Sequence, residues 1–424
     1  MAFWNRLSRV FRELRSSDPL NNPAIPLSSA GFLAWLANGE PTAAGEIVNE
    51  TTALQQNSVY SCVRVIAGDC ASLPCRLFQI TGSGRKQETE HDLAQLLRYE
   101  PNAEMTAFTF WESIVGSLAL TGNGYAEIQR QPYTAKVLGL WPLHPRLTTP
   151  KRVNDELVYE TTDGEMNGRV RTIKSADMLH IPLFSFSGLY GFSPIALARQ
   201  GIGLARAAER FGGRFFGNGA RPSGVLSNQT EMDPKQIRDM KDTWKQMVGG
   251  ENNGGIAVLP GNWTYQQIGI SPEDSQFLQT RNYQRTEIAA LMGVPPHRIG
   301  DTSRMSNNNA EQQNLGYVID TLRVYLSRIE QEIKRKLLPR TERDTGLVVA
   351  EFDVSERLRG DFKTTMEGFA VGKQWGFFST NYIRRKLGEN PIGQLGDVYC
   401  VPLNMKNADL LLTTDLDQAQ QGQL

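Results

Sequence analysis

Two helical patterns joined by a polar segment constrain the fold of this chain more than any other feature. The first pattern covers residues 276–292 and ends at Gly293, and no helix continues through Pro295 and Pro296, which follow. The second begins near Glu311 and repeats apolar residues at steps of three and four for about seven turns. These residues are Leu315, Val318, Ile319, Leu322, Leu326, Ile329, Ile333 and Leu337. The pattern predicts a helical rod roughly 40 Å long.

The segment between the two helices is strongly polar. It comprises Asp301, Thr302, Ser303, Arg304, Met305, Ser306, Asn307, Asn308 and Asn309. Met305 is the only sizeable apolar side chain among them, and burying the polar ones without partners would be costly. We therefore predict that this loop faces water or a water-filled passage, with Asp301 balancing its only cation, Arg304.

The charge balance argues against a protein that grips nucleic acid tightly. The 424 residues carry 45 basic and 45 acidic side chains, so the formal net charge is zero. Tight binding needs a basic surplus directed at the phosphates. A neutral chain can still offer a surface along which DNA slides.

No pattern for catalysis or metal binding stands out in the sequence. His144 and His180 each lie near a proline at the end of an apolar strand, without a neighbouring acid and nucleophile. Cys62, Cys70 and Cys75 lack zinc-site spacing and are expected to be buried free thiols in a reducing cytoplasm. The chain has no apolar run of about 18 residues and no Gly-x-x-x-x-Gly-Lys-Ser/Thr loop. We predict a protein without enzymatic activity, metal or cofactor.

The N-terminal region is predicted to be an amphipathic helix followed by a linker. Residues 1–16 place aromatic and aliphatic side chains on one side and four arginines on the other. This pattern is typical of a membrane-surface or partner-docking helix, or of a terminal arm that becomes ordered only in an assembly. Residues 17–50 are rich in glycine and proline and are expected to form a loop or linker.

A mixed α+β region follows. The spacing predicts helices at 58–71, 92–99 and 108–120, and strands at 75–80, 125–129, 137–142 and 157–161. The turn at 122–124 follows a helix and precedes a strand. This order is the reverse of a dinucleotide-binding loop, so a plain turn is the better interpretation.

Residues 193–218 predict a helix that starts at Ser193 and Pro194, a good cap and first position. Each glycine inside it costs about 1 kcal/mol relative to alanine, which predicts that other helices approach it closely. Another face carries Arg199, Arg206, Arg210 and Arg214. These arginines form either a solvated or salt-bridged face, or a seam toward a neighbouring subunit or DNA.

The rest of the chain divides into a small inserted module and a C-terminal part. Within the module we expect a strand at 223–227, a helix at 233–248 and a hairpin of 256–259 with 263–268. Beyond residue 338 the pattern predicts a strand at 347–354, helices at 355–370 and 380–387, and a strand at 398–403. A polar, Gln-rich tail follows from Asn404.

Six stretches in this order resemble the portal proteins of tailed bacteriophages, specifically the shorter type of long, non-contractile-tailed phages. They are 57–66 (NSVYSCVRVI), 71–74 (ASLP), 122–125 (GNGY), 188–194 (GLYGFSP), 215–222 (FFGNGARP) and 287–296 (EIAALMGVPP). Portals are rings, usually of twelve subunits, at one capsid vertex. The resemblance therefore implies a DNA conduit in the virion.

The resemblance also implies a division of the chain. It assigns 1–50 to an arm and linker, 51–190 to an α+β wing, 191–218 and 274–293 to two stem helices, 219–273 to a clip, 294–310 to a channel (tunnel) loop, 311–354 to a long helix and return to the wing, 355–395 to a small helical crown and 396–424 to a tail. The chain lacks the long C-terminal helical barrel of larger portals.

Site residues and partners follow from the same resemblance. It places Asp301 to Asn309 in the DNA channel and Arg199, Arg206, Arg210, Arg214, Arg281 and Arg285 along the stem, toward the channel or a neighbouring subunit. It places Trp244, Lys245, Asn252, Asn253 and Trp263 on the clip. The implied partners are other copies of the chain, double-stranded DNA, the major capsid protein, the terminase large subunit and a head-tail connector.

Two alternatives remain open at this stage. A metal-dependent nuclease would use Asp301 or Glu287, although the acids are scattered and two-metal sites need several that converge. A membrane-surface scaffold would use residues 1–16.

Overall fold

The computed structural model describes residues 41–82, 84–162, 168–217, 224–228, 233–248, 263–267, 277–301, 307–354 and 362–400. The helix expected at 1–16 and the tail from Asn404 lie outside these ranges. The chain divides into two compact units, 1–353 and 354–424. In the first unit helices alternate with small antiparallel sheets, which confirms the predicted α+β class, and the described residues of the second unit form helices.

Two helices at 50–54 and 340–345, which the sequence patterns did not predict, join the expected helices of the first unit. In chain order they are α1 (Glu50–Leu54), α2 (Asn57–Ala71), α3 (Asp92–Arg98), α4 (Ala107–Thr121), α5 (Pro194–Leu197), α6 (Arg199–Gly217), α7 (Pro234–Val248), α8 (Phe277–Leu291), α9 (Asn307–Gly316), α10 (Arg323–Lys336) and α11 (Arg340–Thr345). Short 3₁₀ helices cover Ser175–Asp177 and Pro296–Ile299, and a π-helical stretch covers Tyr317–Leu322.

The strands form four small sheets. They are β1 (Cys75–Thr81), β2 (Gly84–Glu88), β3 (Asn123–Arg130), β4 (Val137–Leu143), β5 (Thr148–Val153), β6 (Glu156–Thr162), β7 (Val170–Lys174), β8 (Met178–Pro182), β9 (Gly224–Asn228), β10 (Trp263–Gln267) and β11 (Val348–Phe352). The sheet orders are β11-β1-β2, β4-β3-β8, β5-β6-β7 and β10-β9. The sequence patterns missed β2, β5 and β7, whereas β8 is the apolar strand expected at His180.

The core of the first unit lies where α2 and α4 pack together. Thr106 caps α4 by accepting from the Thr109 N–H, and Gly122 ends it in the left-handed region at φ +76°. Between these ends α4 buries Phe110, Trp111 and Leu118. A side chain at Gly122 would meet the Phe192 carbonyl at 2.1 Å, so this turn must be glycine.

The long helix differs from its prediction at its N-terminal half. It begins at Asn307 rather than Glu311, and Tyr317–Leu322 is π-helical. A π turn holds more residues than an α turn and therefore rotates the residues before it relative to those after it. Leu326, Ile329 and Ile333 are buried as expected, whereas Leu315 and Ile319 are 48 % and 52 % exposed. The expected single apolar face is wrong for these two residues.

The helix expected at 193–218 is two helices, because Ala198 leaves helical geometry at φ −91°, ψ 6°. The explanation of its glycines by close helix contacts is also wrong at Gly203. A Cβ there would lie 2.5 Å from Thr42 Oγ1, so the close neighbour is the segment before α1. That segment was expected to be linker, yet Thr42, Glu46 and Val48 are buried.

The inserted module contains the expected helix α7 and a two-stranded sheet. In the sheet β10 pairs antiparallel with β9, from Trp263 opposite Asn228 to Gln267 opposite Gly224. The hairpin prediction had paired this strand with 256–259, which lie outside the described residues. The described partner of β10 is thus more distant in sequence than the pattern suggested.

The second unit contains helices α12 (Phe362–Gln374) and α13 (Thr380–Lys386) and a 3₁₀ helix, Gln394–Asp397. Ser379 caps α13, and the buried Asn381 amide donates to the Gly393 carbonyl at 2.8 Å. The helix expected at 355–370 extends to Gln374. Residues 398–400 are not a strand, and 401–403 lie outside the description.

Candidate functional site

The two helices assigned to the stem, α6 and α8, pack against each other within one chain. Between them Arg281 Nη2 lies 3.8 Å from Glu209 Oε1, and both side chains are partly exposed. The contact joins the two ends of the inserted module, because α6 precedes it and α8 follows it.

The arginines of α6 do not all point the same way. Arg199 is buried, with 6 % of its surface exposed. Arg210 Nη2 lies 2.5 Å from Glu46 Oε2, and Arg206 Nε lies 3.6 Å from the same oxygen. Arg206 also donates to the Thr52 carbonyl. Arg206 and Arg210 therefore hold the segment before α1 through a buried carboxylate, whereas Arg214 is exposed.

Asp301, at the start of the polar segment, is tied back to α8. Its carboxylate is 11 % exposed and lies 3.0 Å from Arg285 Nη2. The sequence prediction paired Asp301 with Arg304, which lies outside the described residues, so that pairing stays a prediction; Arg285 is a partner that the sequence did not suggest. Asp301 faces protein rather than water because a cation on the preceding helix satisfies its charge.

A second tie joins the end of α8 to the π-helical stretch. Gly293 takes φ +68° directly after α8, and its carbonyl accepts from Thr321 Oγ1 at 2.6 Å. A Cβ on Gly293 would lie 2.6 Å from the same hydroxyl. Glycine is therefore required at this turn for two reasons: its positive φ and the close approach of the Thr321 hydroxyl.

A third tie involves a buried acid of α2. Arg298 Nη2 lies 2.7 Å from Asp69 Oδ2, and the Arg298 guanidinium lies 4.7 Å from the centre of the Tyr317 ring. Burial, and then the nearby Asp69 carboxylate, raise the pKa of Tyr317 well above its usual range. The cluster connects α2, the 3₁₀ helix and the π-helical stretch.

His297 adds a fourth tie, to α9. Its Nδ1 lies 3.0 Å from Gln313 Oε1 and its Nε2 lies 3.1 Å from Asn314 Oδ1. Together these four contacts (the four ties) fix the residues on both sides of 302–306, and we call the region that they fix the base. The arrangement can present a short polar segment at a fixed position; it offers no cluster of acids for chemistry.

The structure describes only part of the predicted channel loop. Residues 302–306 lie outside the description, which includes Thr302, Ser303, Arg304, Met305 and Ser306. Asn307, Asn308 and Asn309 were expected in the loop, but they form the first turn of α9. Three consecutive asparagines suggested a loop because their side chains compete for backbone hydrogen bonds.

The clip residues are placed by backbone alone. Trp244 and Lys245 lie in α7, and Trp263 opens β10. Asn252 and Asn253 lie outside the described residues. Their predicted role toward partners stays a prediction.

Sequence reasoning missed Asp69, Arg298, Tyr317 and Thr321. One signal was present for Asp69, since it is the only acid in α2 and lies on the C-terminal turn among apolar and small residues. The other three give no local signal, because their roles depend on contacts between distant segments.

His180 has a structural role. Its ring is buried and makes two hydrogen bonds. Nδ1 lies 3.1 Å from Tyr159 Oη, and Nε2 lies 3.2 Å from Asn123 Oδ1. Burial, followed by the charges of Arg335 and Lys336, lowers the pKa of His180 to about 3. The ring is therefore neutral at ordinary pH. Cys62, Cys70 and Cys75 are buried free thiols, as expected.

The described residues contain no group of three or more His, Cys, Asp or Glu side chains arranged to hold a metal ion. Within the same ranges, no helix has both the length and the apolar character needed to span a membrane.

The family model described as phage portal protein matches residues 57–388. The chain belongs to the phage portal protein family. The resemblance stated from six short stretches is thereby confirmed. Portal proteins are structural components of the virion, which confirms the expected location and favours a structural role over the nuclease alternative.

This portal protein is also similar to individual relatives. It is 31 % identical to the portal protein of Enterobacteria phage HK97 over 421 residues, 98 % of this chain and 94 % of that protein. A crystal structure of an HK97-family phage portal protein from Corynebacterium diphtheriae has a TM-score of 0.54 at 14 % identity, covering 73 % of this chain and 96 % of that one. A neck structure of a native gene transfer agent particle, computed with C12 symmetry, has a TM-score of 0.51 at 23 % identity, covering 85 % of this chain and 98 % of that one. The two structural likenesses concern the fold.

Proposed function

We propose that this portal protein assembles into a closed ring of twelve copies at one capsid vertex and that double-stranded DNA passes through the ring. The ring and its copy number are supported by the related neck, which was computed with C12 symmetry. A closed ring needs one surface of each copy to contact a different surface of the next. The packaging energy comes from a separate ATPase, the terminase large subunit.

The observation that carries the channel proposal is the fixed base beneath residues 302–306. Arg285 with Asp301 secures one flank, and Thr321 with the Gly293 carbonyl secures the long helix that follows the other. A segment that must stay in the path of moving DNA needs such support, because a loosely attached one would be swept aside. The tied base thus favours the tunnel-loop role.

The charges near this base also suit a conduit. Each fixed cation that neutralises a phosphate adds affinity and retards movement. The arginines at the base are already paired within the chain: Arg285 with Asp301, and Arg298 with Asp69. They therefore offer DNA little net attraction.

The remaining assignments complete the proposal. Residues 51–190 with 339–354 form the wing that contacts the major capsid protein, 191–218 and 274–293 form the stem, and 311–338 form the long helix behind the loop. Residues 219–273 form the clip that contacts the motor and later the head-tail connector, and 355–395 form a small crown. The joining of β11 to β1 in one sheet supports the return of the chain to the wing.

A loop variant tests the channel role. Residues 302–306 are replaced by two glycines, and a matched variant carries the same replacement at the polar residues 163–167 between β6 and β7. We expect both variants to assemble, because neither change touches the four ties. Packaged DNA per particle should fall by about tenfold only in the first variant. Normal packaging by that variant would remove the loop from the proposed mechanism.

A further inference from the structure

An open cavity of about 940 Å³ shares no lining residue with the contacts that flank residues 302–306. Its walls are the end of α10, the helix α11, the turn between β3 and β4, and the start of α3. Six basic and three acidic side chains line it. A cavity of this size accepts a few residues of a peptide and is too small for a DNA duplex.

Arg130, Arg335 and Lys336 line the cavity and lie close enough for their charges to interact. The Lys336 ammonium donates to the carbonyl and hydroxyl oxygens of Ser175, and it forms no ion pair with a carboxylate among the described residues. Partial burial, and then the neighbouring charge of Arg335, lower the pKa of Lys336. An added carboxylate would relieve this repulsion.

The basic groups are held in place before any ligand arrives. The Arg130 guanidinium donates to the Lys336 carbonyl at 2.8 Å and pairs with Asp177 at 3.1 Å. Arg343 donates to the Arg335 carbonyl at 3.2 Å. Since these contacts fix the end of α10, binding would cost little side-chain ordering.

Acidic side chains that also line the cavity favour an acidic peptide over a nucleic acid as its ligand. Asp92 pairs with Lys136 at 2.8 Å, Glu342 lies 3.1 Å from His91, and Glu90 lies beside them. These carboxylates would repel the regularly spaced phosphates of a nucleic acid. A peptide can place its carboxylates at the basic side chains and its backbone N–H groups at the acidic ones.

We propose that this cavity binds an acidic segment of a partner protein, whose carboxylates lie among Arg130, Arg335 and Lys336. The site goes beyond the DNA channel and requires neither the ring nor packaging. It gives the wing a docking point for an acidic chain.

Fluorescence anisotropy with the full-length protein tests the site. The probe is a short fluorescein-labelled peptide of alternating Glu and Ser, and its control replaces each Glu with Gln. We expect the acidic peptide to bind about tenfold more tightly than the control, with an affinity that falls as salt rises. Equal binding of the two peptides would overturn the proposal.

Two matched variants locate the binding. Arg335 is 58 % exposed and paired with Glu332, and Arg85, outside the cavity, is 60 % exposed and paired with Glu351. R335Q should weaken binding of the acidic peptide by about tenfold, whereas R85Q should change it by less than about twofold. Equal effects would contradict the proposal. So would a short DNA duplex that loses affinity in R335Q while the peptide does not, since the cavity would then be a nucleic-acid site.

Discussion

Three nearly buried carboxylates organise the arginines of this portal protein. Glu46 holds Arg206 and Arg210, Asp69 holds Arg298, and Asp301 holds Arg285. Removing one member of a buried pair leaves the other charge desolvated and unpaired, which costs more than the pair itself contributes.

Glu46 offers the clearest test at this scale. E46Q keeps the side-chain shape but removes the charge that Arg206 and Arg210 share. We expect the free energy of unfolding to fall by about 2–3 kcal/mol. E351Q breaks the exposed pair with Arg85 and should cost less than about 1 kcal/mol. Urea unfolding measures both, and equal losses would show that Glu46 is not a stabilising centre.

His180 predicts a pH dependence of stability. Its folded-state pKa of about 3 lies below the unfolded value near 6.5, so the unfolded chain binds the extra proton first. Stability contributed by the neutral ring is complete above about pH 6.5 and is lost as the pH falls toward 3. As the pH falls from about 7.5 to about 5.5, the free energy of unfolding of the wild type should decrease by about 1.4 kcal/mol more than that of H180Q.

The measurement is urea unfolding at the two pH values, with H144Q as the control because His144 is exposed. H144Q should follow the wild type. An identical pH dependence in H180Q and wild type would contradict the buried neutral state of His180.

At the scale of elements, the sequence predicted best where local chemistry decides the structure. Ser193 with Pro194 predicts the start of a helix, and Gly293 before two prolines predicts the end of α8. The α-helical period failed at Leu315 and Ile319, because a period of 3.6 residues cannot anticipate a π-helical stretch. β5 was missed because only Thr148 on that strand is buried, so no alternation is visible.

The contacts of the candidate site were not predictable from the sequence. Polarity predicts a loop at residues 301–309, but Asn307 begins a helix and Asp301 pairs with Arg285. Glu46 and Arg206 meet across a long stretch of sequence, so no local pattern joins them. Contacts of this kind depend on the assembled fold.

Gly293 tests the junction between α8 and the long helix. Gly293 and Gly300 both have positive φ, +68° and +86°, but only a Cβ at Gly293 would meet an atom within 4 Å. G300A should lower the free energy of unfolding by about 1–2 kcal/mol, from backbone strain alone. G293A should lower it by at least about 1 kcal/mol more, because Thr321 must also move. Thermal unfolding compares the two, and equal costs would contradict the close approach.

At the scale of the whole molecule, the charge balance bears on how DNA would pass through an assembly. The chain has no net charge, and the arginines at the base of residues 302–306 are paired internally. Both features favour a passage that DNA crosses without being held. We therefore propose that the polar segment lies inside a ring rather than on an outer surface.

A cryo-electron microscopy map of the purified full-length protein would show the position of this segment. We expect a closed ring of twelve copies in which residues 302–306 of every copy project into the bore. A solitary chain at assembly concentrations, or a ring that carries these residues on its outside, would contradict it.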